Sequence, residues 1–303
     1  VPLLTLLSLL LGCHVIGCRT MVNRPQDQAL IGARQLSLRG MESWQRGQTA
    51  QAQQLFQAAL RESPNDERAH AGFAECCWQQ ERHTLAIEHM RQAVELSGSS
   101  PELQVRLGKM LLEQGDLEGA RQLAEATLRD YRRQANAWAL LGDVHRQSQA
   151  WPAALQAYHR SLLLDRESPE VSLSIAECYH RLAQPERVLA TLDQLSIARL
   201  SSDQQTEQQR LRGLALADIG LTQEAGPLLA RASQRMVAGQ LHQQLEIVAK
   251  QIAMGDLVGA RMSIGHLKQH PEQHPEILRL QTVLDEAFER LAAPVPDERS
   301  SHR

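Results

Sequence analysis

Three histidines near the C-terminal end, His266, His270 and His274, stand four residues apart. At that spacing imidazoles share one face of a helix, and zinc sites use such pairs. Pro271 follows directly on the second of them and ends a helix there, and no cysteine completes a ligand set. The cluster therefore reads more simply as an exposed polar helix end, and no metal or other cofactor is expected. The adjacent Cys76 and Cys77 have the composition of a redox pair, but neighbouring side chains point to different faces of a helix. Cys178 lies 102 residues after Cys76, three intervals of 34, so both fit best as small packing residues. No phosphate-cradling glycine loop, HExxH, CxxC or GxSxG occurs in the chain, and no enzyme is expected.

Two further cysteines stand at the N-terminal end. Val1 to Gly12 is apolar and uncharged, too short for a confident transmembrane helix and suited to the core of a signal peptide. It runs into Leu10-Leu11-Gly12-Cys13, and a similar site follows at Val15-Ile16-Gly17-Cys18. Both resemble the bacterial lipobox, in which a small residue precedes a cysteine that takes a lipid. Cys13 is preferred, because His14 interrupts the approach to Cys18; an ordinary secretory signal or an uncleaved anchor is the alternative. A lipid at Cys13 would tether the chain to a membrane and leave the rest in water.

The elements that would carry any site follow from a repeat. The chain has 303 residues, only 3% aromatic, with a net charge of −3, so it lacks the basic field that nucleic-acid binding usually needs. A small residue recurs at Ala52, Ala86, Ala120 and Ala154, always 34 apart, and Val188 continues the series. Large side chains follow four residues later at Phe56, Met90 and Tyr158. Around each lie two apolar stripes at helical spacing, clearest in Ala135 to Ser168: Trp138, Leu141 and His145, then Ala154, Leu155, Tyr158 and Leu162. Each copy is thus a pair of amphipathic helices.

These residues resemble the tetratricopeptide repeat family, with its period of about 34 residues. Trp138, Leu141, Gly142, Ala154 and Tyr158 carry the pattern in one copy, with His145 and Ser161 where the family prefers Tyr and Ala. Gly40, Ala52, Phe56, Ala59 and Pro64 carry it in another; a third has Leu107, Gly108 and Ala120 but Ala124 in place of an aromatic. The resemblance implies an all-α, right-handed α-solenoid of about seven stacked helix hairpins, the last two degenerate, closed by a C-terminal capping helix.

The expected organisation is a signal or lipobox-like segment over 1–20, a tether and helix start over 21–32, and five in-register repeats over 33–202. Two degenerate repeats over 203–274, a capping helix over 275–291 and a disordered tail over 292–303 complete it. After Leu195 the register slips by three, from Val188 to Ala225, an insertion expected to fit in a loop. The second degenerate copy, Gly255-Asp256-Leu257-Val258-Gly259-Ala260, echoes Gly115-Asp116-Leu117-Glu118-Gly119-Ala120.

In the family, the groove lined by the first helices binds protein partners. Its places hold Trp44, Arg68, Glu75, Trp78, Lys109, Asn136, Asp143, Arg146, Glu177, His180 and Arg181 here. Trp44 and Trp78 occupy equivalent places; they would stack on a peptide or helix, or merely cover neighbouring repeats. The first two repeats lack the Lys and Asn of the family's carboxylate clamp for peptide C-termini. The expected function is a membrane-tethered, non-catalytic protein-interaction scaffold of the bacterial envelope, facing the periplasm or exterior, with no nucleic-acid or small-molecule ligand. Lipid-anchored members of the family resemble it in layout, among them pilotins that help secretins assemble. A regulatory subunit of a polysaccharide-synthesis or cell-wall enzyme is the alternative, and a metal or redox protein the more distant one.

Overall fold

The computed structural model describes residues 25–236, 240–267 and 275–292, and these form fifteen α-helices and one short 3-10 turn. The helices are α1 (Pro25–Gln45), α2 (Thr49–Glu62), α3 (Glu67–Gln79), α4 (His83–Leu96), α5 (Pro101–Glu113), α6 (Leu117–Asp130), α7 (Ala135–Gln147) and α8 (Trp151–Leu164). After them come α9 (Pro169–Arg181), α10 (Pro185–Leu192), α11 (Ser202–Asp218), α12 (Thr222–Arg235), α13 (Leu241–Ala253), α14 (Leu257–Leu267) and α15 (Pro275–Ala292). Odd-numbered helices open each of seven hairpins and even-numbered helices close them, with α15 following the last. No helix among the described residues is long and apolar enough to cross a membrane. Cys13, Cys18, His270, His274 and the tail from 293 lie outside the described residues.

The chain divides into two compact units between Leu140 and Leu141. Ala52, Ala86, Ala120, Ala154, Val188, Ala225 and Ala260 are all fully buried, so the repeat that orders the sequence is a packing constraint. In the first unit Phe56 fills the space between two first helices. A methyl added at Gly40 of α1 would stand 2.7 Å from its ring, and one at Gly72 of α3 would be closer still. Where the third repeat has only Ala124, Leu140 reaches into the space beside Gly108. A larger residue from the following helix thus makes up the missing volume.

The turn between the two helices of each hairpin demands a left-handed residue. Gly47, Glu81, Gly115, Gln149, Ala183, Gly220 and Gly255 all have positive φ, between 53° and 84°. Their spacing is the repeat itself, and three of the seven are not glycine, at a steric cost of about 1–2 kcal/mol each. Side chains then start the second helix where the sequence permits: Asp116 accepts from the Gly119 amide and Asp256 from the Gly259 amide, both at 2.9 Å.

Helix α1 begins at Pro25, within the stretch read as tether and helix start, because proline is well placed in a helix's first turn. One expectation is overturned. The three-residue insertion is not confined to a loop. Helix α10 has 8 residues against 14 in the second helices α2, α4, α6, α8 and α12, whereas α11 has 17 against 13 in the first helices α3, α5, α7, α9 and α13. A 3-10 turn at Ile197–Arg199 links them, and a capping box between Ser201 and Gln204 starts α11 an extra turn early.

Candidate functional site

In the first unit, the face of the first helices carries Trp44, Arg68, Glu75, Trp78, Lys109 and Asn136. Trp44 and Trp78 are half-buried, and both pack against the core cluster around Phe56 and Phe73. Each indole therefore has part of its ring in the protein and part accessible. The side chain of His83 meets the Trp78 ring edge-on at 4.4 Å, and the Arg106 guanidinium lies 5.8 Å from its centre. Arg106 also donates to both oxygens of Glu75, at 2.6 and 2.7 Å. That bond raises the guanidinium's pKa even against burial. Glu75 is thus committed to bracing α3 against α5. Arg68 and Asn136 are exposed and Lys109 half-buried.

The remaining expected groove residues lie in the second unit, and the structure occupies them internally. Tyr158, buried on α8, donates its hydroxyl to Asp143 at 2.7 Å and accepts from Arg146 Nε at 3.1 Å. Burial and the Asp143 carboxylate push the Tyr158 phenol up. Two of the groove charges are therefore the polar ends of a hairpin's packing.

Glu177, His180 and Arg181 enter a larger network centred on Arg210. Arg210 is 0% exposed, and its guanidinium donates to Glu177 on α9, to Glu207 on its own helix at 2.7 and 2.9 Å, and to Glu246 on α13 at 2.7 Å. Arg181 Nε donates to Glu177 at 2.8 Å, and His180 Nε2 lies 3.0 Å from Glu246. Burial alone would raise both carboxyls. The Arg210 and Arg181 charges instead hold Glu177 below the usual range, and His180 with Arg210 brings Glu246 down to about 2. Burial likewise opposes charge on Arg210, and its three carboxylates overcome that and raise its pKa.

Sequence reasoning passed over Arg106, Arg210, Glu207 and Glu246. Arg210 had a usable signal: it lies 37 residues after Leu173, the same shift that carries Val188 to Ala225, so an arginine stands in an apolar slot. No cluster of three or more possible metal ligands occurs among the described residues, and His266 is exposed on α14. Cys76, Cys77 and Cys178 are buried and unbridged, and burial pushes the Cys76 and Cys178 thiols up to about 11. A thiol so shifted is a poor nucleophile at neutral pH.

The tetratricopeptide repeat family matches residues 38–101 and again residues 78–144. Residues 38–144 of the chain are tetratricopeptide repeats. Among curated proteins, the type IV pilus assembly protein PilF of Pseudomonas aeruginosa is 27% identical over 184 residues, 58% of this chain and 72% of that protein. Among solved structures, Pseudomonas aeruginosa PilF aligns with a TM-score of 0.58 at 23% identity, over 69% of this chain and 93% of that one. PilW, a widely conserved type IV pilus biogenesis factor, aligns with a TM-score of 0.60 at 19% identity, over 67% and 92%. A tetratricopeptide repeat protein of Parabacteroides merdae gives 0.62 at 14% identity, over 84% and 99%. Repeats of this kind support a protein-interaction scaffold, since stacked helix pairs present surface to partners.

Proposed function

We propose that the chain is a non-catalytic scaffold for assembling a bacterial envelope machine of the type IV pilus kind, tethered to the membrane through its N-terminal segment, by a lipid on Cys13 or else Cys18. The observation that carries this reading is the sequence relation to the pilus assembly protein PilF, which spans 72% of that protein. The apolar run Val1–Gly12 ahead of Cys13 supports the tether.

We place the partner face on the first unit. In the second unit, Asp143 and Arg146 brace their own hairpin, and Glu177, His180 and Arg181 are paired with residues of later hairpins. The first unit offers two indole edges, the exposed Arg68 and Asn136, and Lys109, a mixture of aromatic anchors and polar groups suited to a peptide or helix of a protein partner. Crosslinking in membranes followed by identification of the captured protein is the direct experiment. Arg68→Glu, Lys109→Glu and Trp78→Ala should each weaken capture while the circular dichroism of the helices is kept. If capture by all three variants equals wild type, the first-unit face is not the binding surface. If the captured protein belongs to no envelope assembly, the pathway assignment fails even though the scaffold stands.

A further inference from the structure

Helix α1 leaves four large apolar side chains in water: Leu30 is 41% exposed, Ile31 53%, Leu38 51% and Met41 40%. At helical geometry they fall within an arc of about 100°, a single stripe along the helix. The repeat shows where part of this stripe looks. Leu38 is the counterpart of Gly72, Arg106 and Leu140 at successive intervals of 34. Each of those meets the hairpin before its own: Gly72 packs on Phe56, Arg106 pairs with Glu75, and Leu140 packs on Gly108. Leu38 therefore points out of the first hairpin, where no other described helix precedes it.

A second copy stacked end-on would need the rest of that surface to be apolar, and it is not. Gln35, Arg39 and Glu42 are exposed at places where later repeats bury Ala69, Phe73 and Cys76. The stripe calls for an occupant that takes apolar side chains and leaves their polar neighbours hydrated. A lipid headgroup region does this, and the exposed Arg34 inside the stripe would meet lipid phosphates. Chain length points the same way. Twelve residues separate Gly12 from Pro25, a connector reaching at most about 40–45 Å. Once the apolar segment or its lipid enters a bilayer, α1 is held close to that surface at high effective concentration.

We infer that the stripe of α1 lies on the phospholipid surface to which the N-terminus is anchored, so that the first hairpin is seated on the membrane. The inference rests on the proposed tether. The test mixes the full chain with phosphatidylethanolamine–phosphatidylglycerol vesicles and with phosphatidylcholine vesicles, and measures flotation and amide hydrogen exchange over residues 30–41. Anionic vesicles are expected to slow exchange there, and Ile31→Glu with Leu38→Glu should lower the vesicle partition about tenfold or more while leaving the thermal unfolding midpoint unchanged. Flotation of the wild type with unchanged exchange in α1 and no effect of the double substitution overturns the inference but leaves the tether standing. Protection that grows with protein concentration without vesicles assigns the stripe to a second copy. A wild-type chain that floats with neither vesicle removes the tether itself.

Discussion

Arg210, wholly buried on α11, donates to Glu246 on α13 at 2.7 Å, and Glu246 in turn lies 3.0 Å from His180 on α9. One carboxylate thus receives groups from two other hairpins. Removing the central guanidinium would leave three carboxylates facing each other in a poorly hydrated place. Arg210→Met is expected to destabilise the second unit by about 3–5 kcal/mol, read from urea unfolding. A loss below about 1 kcal/mol would mean that water replaces the guanidinium at little cost.

The same network sets an acid limit. Glu246 has its folded pKa depressed to about 2 from an ordinary 4.5, so its contribution is fully present above about pH 4.5 and is lost as the pH falls toward 2. A milder limit comes from the first unit. His70 Nε2 lies 2.9 Å from the Pro64 carbonyl and Nδ1 lies 2.9 Å from His89 Nδ1. A carbonyl can only accept, so Nε2 carries the proton, Nδ1 of a neutral His70 is bare, and His89 donates to it. The added proton of a charged His89 goes to its Nε2, in a half-buried ring beside His70. Burial and His70 hold the His89 pKa below 6.5, so the unfolded chain takes up that proton first and stability falls as pH drops below about 6.5. Unfolding free energies from pH 8 to pH 5 should decline, and His89→Leu should flatten that limb.

The left-handed turns give a prediction of opposite sign. Ala183, with φ of 53°, occupies a place that glycine fills in four of the seven hairpins. Ala183→Gly should raise stability by about 0.5–1 kcal/mol, the steric relief exceeding glycine's greater flexibility in the unfolded chain. The same substitution at Gln149, with φ of 58°, should act alike. A fall in the thermal midpoint for both would show that the strain had been relaxed elsewhere.

Phe56 and the glycines beside it can be tested as a set. Gly72→Ala would put a methyl inside the Phe56 ring and should cost about 1–3 kcal/mol. In the Phe56→Leu background the added cost of Gly72→Ala should shrink, because the smaller side chain leaves room. A double-mutant cycle by chemical denaturation measures the coupling, and strict additivity would show that the two residues do not share the space.

What was legible in the sequence was whatever the 34-residue period constrains. Ala52, Ala86, Ala120 and Ala154 announce the hairpins because the place is fully buried and favours a small side chain, and Gly115 with Asp116 announces a turn because few residues can make it. The charged groups were much less legible. Glu177, His180 and Arg181 sit at groove places, yet their partners Arg210 and Glu246 lie one and two hairpins further on. Asp143 and Arg146 are engaged by a tyrosine on the other helix of their own hairpin. Such pairings depend on side-chain reach across the stack, which the position of a residue within its repeat does not encode. The lengthened α11 was hidden for a related reason: an insertion can be absorbed by helix or loop, and the capping box at Ser201 decided it.

In a simple stack each repeat feels only its two neighbours, and its cooperativity is a product of adjacent couplings. The reach of His180 and Arg181 on α9 to Glu246 on α13 adds a coupling that skips the hairpin between them. Three hairpins are thereby tied by charge pairs and should open together. Forced extension of the molecule should accordingly pass α9 to α13 in one rip, where independent repeats would yield a staircase, which would make this stretch the ratchet of the solenoid rather than its hand.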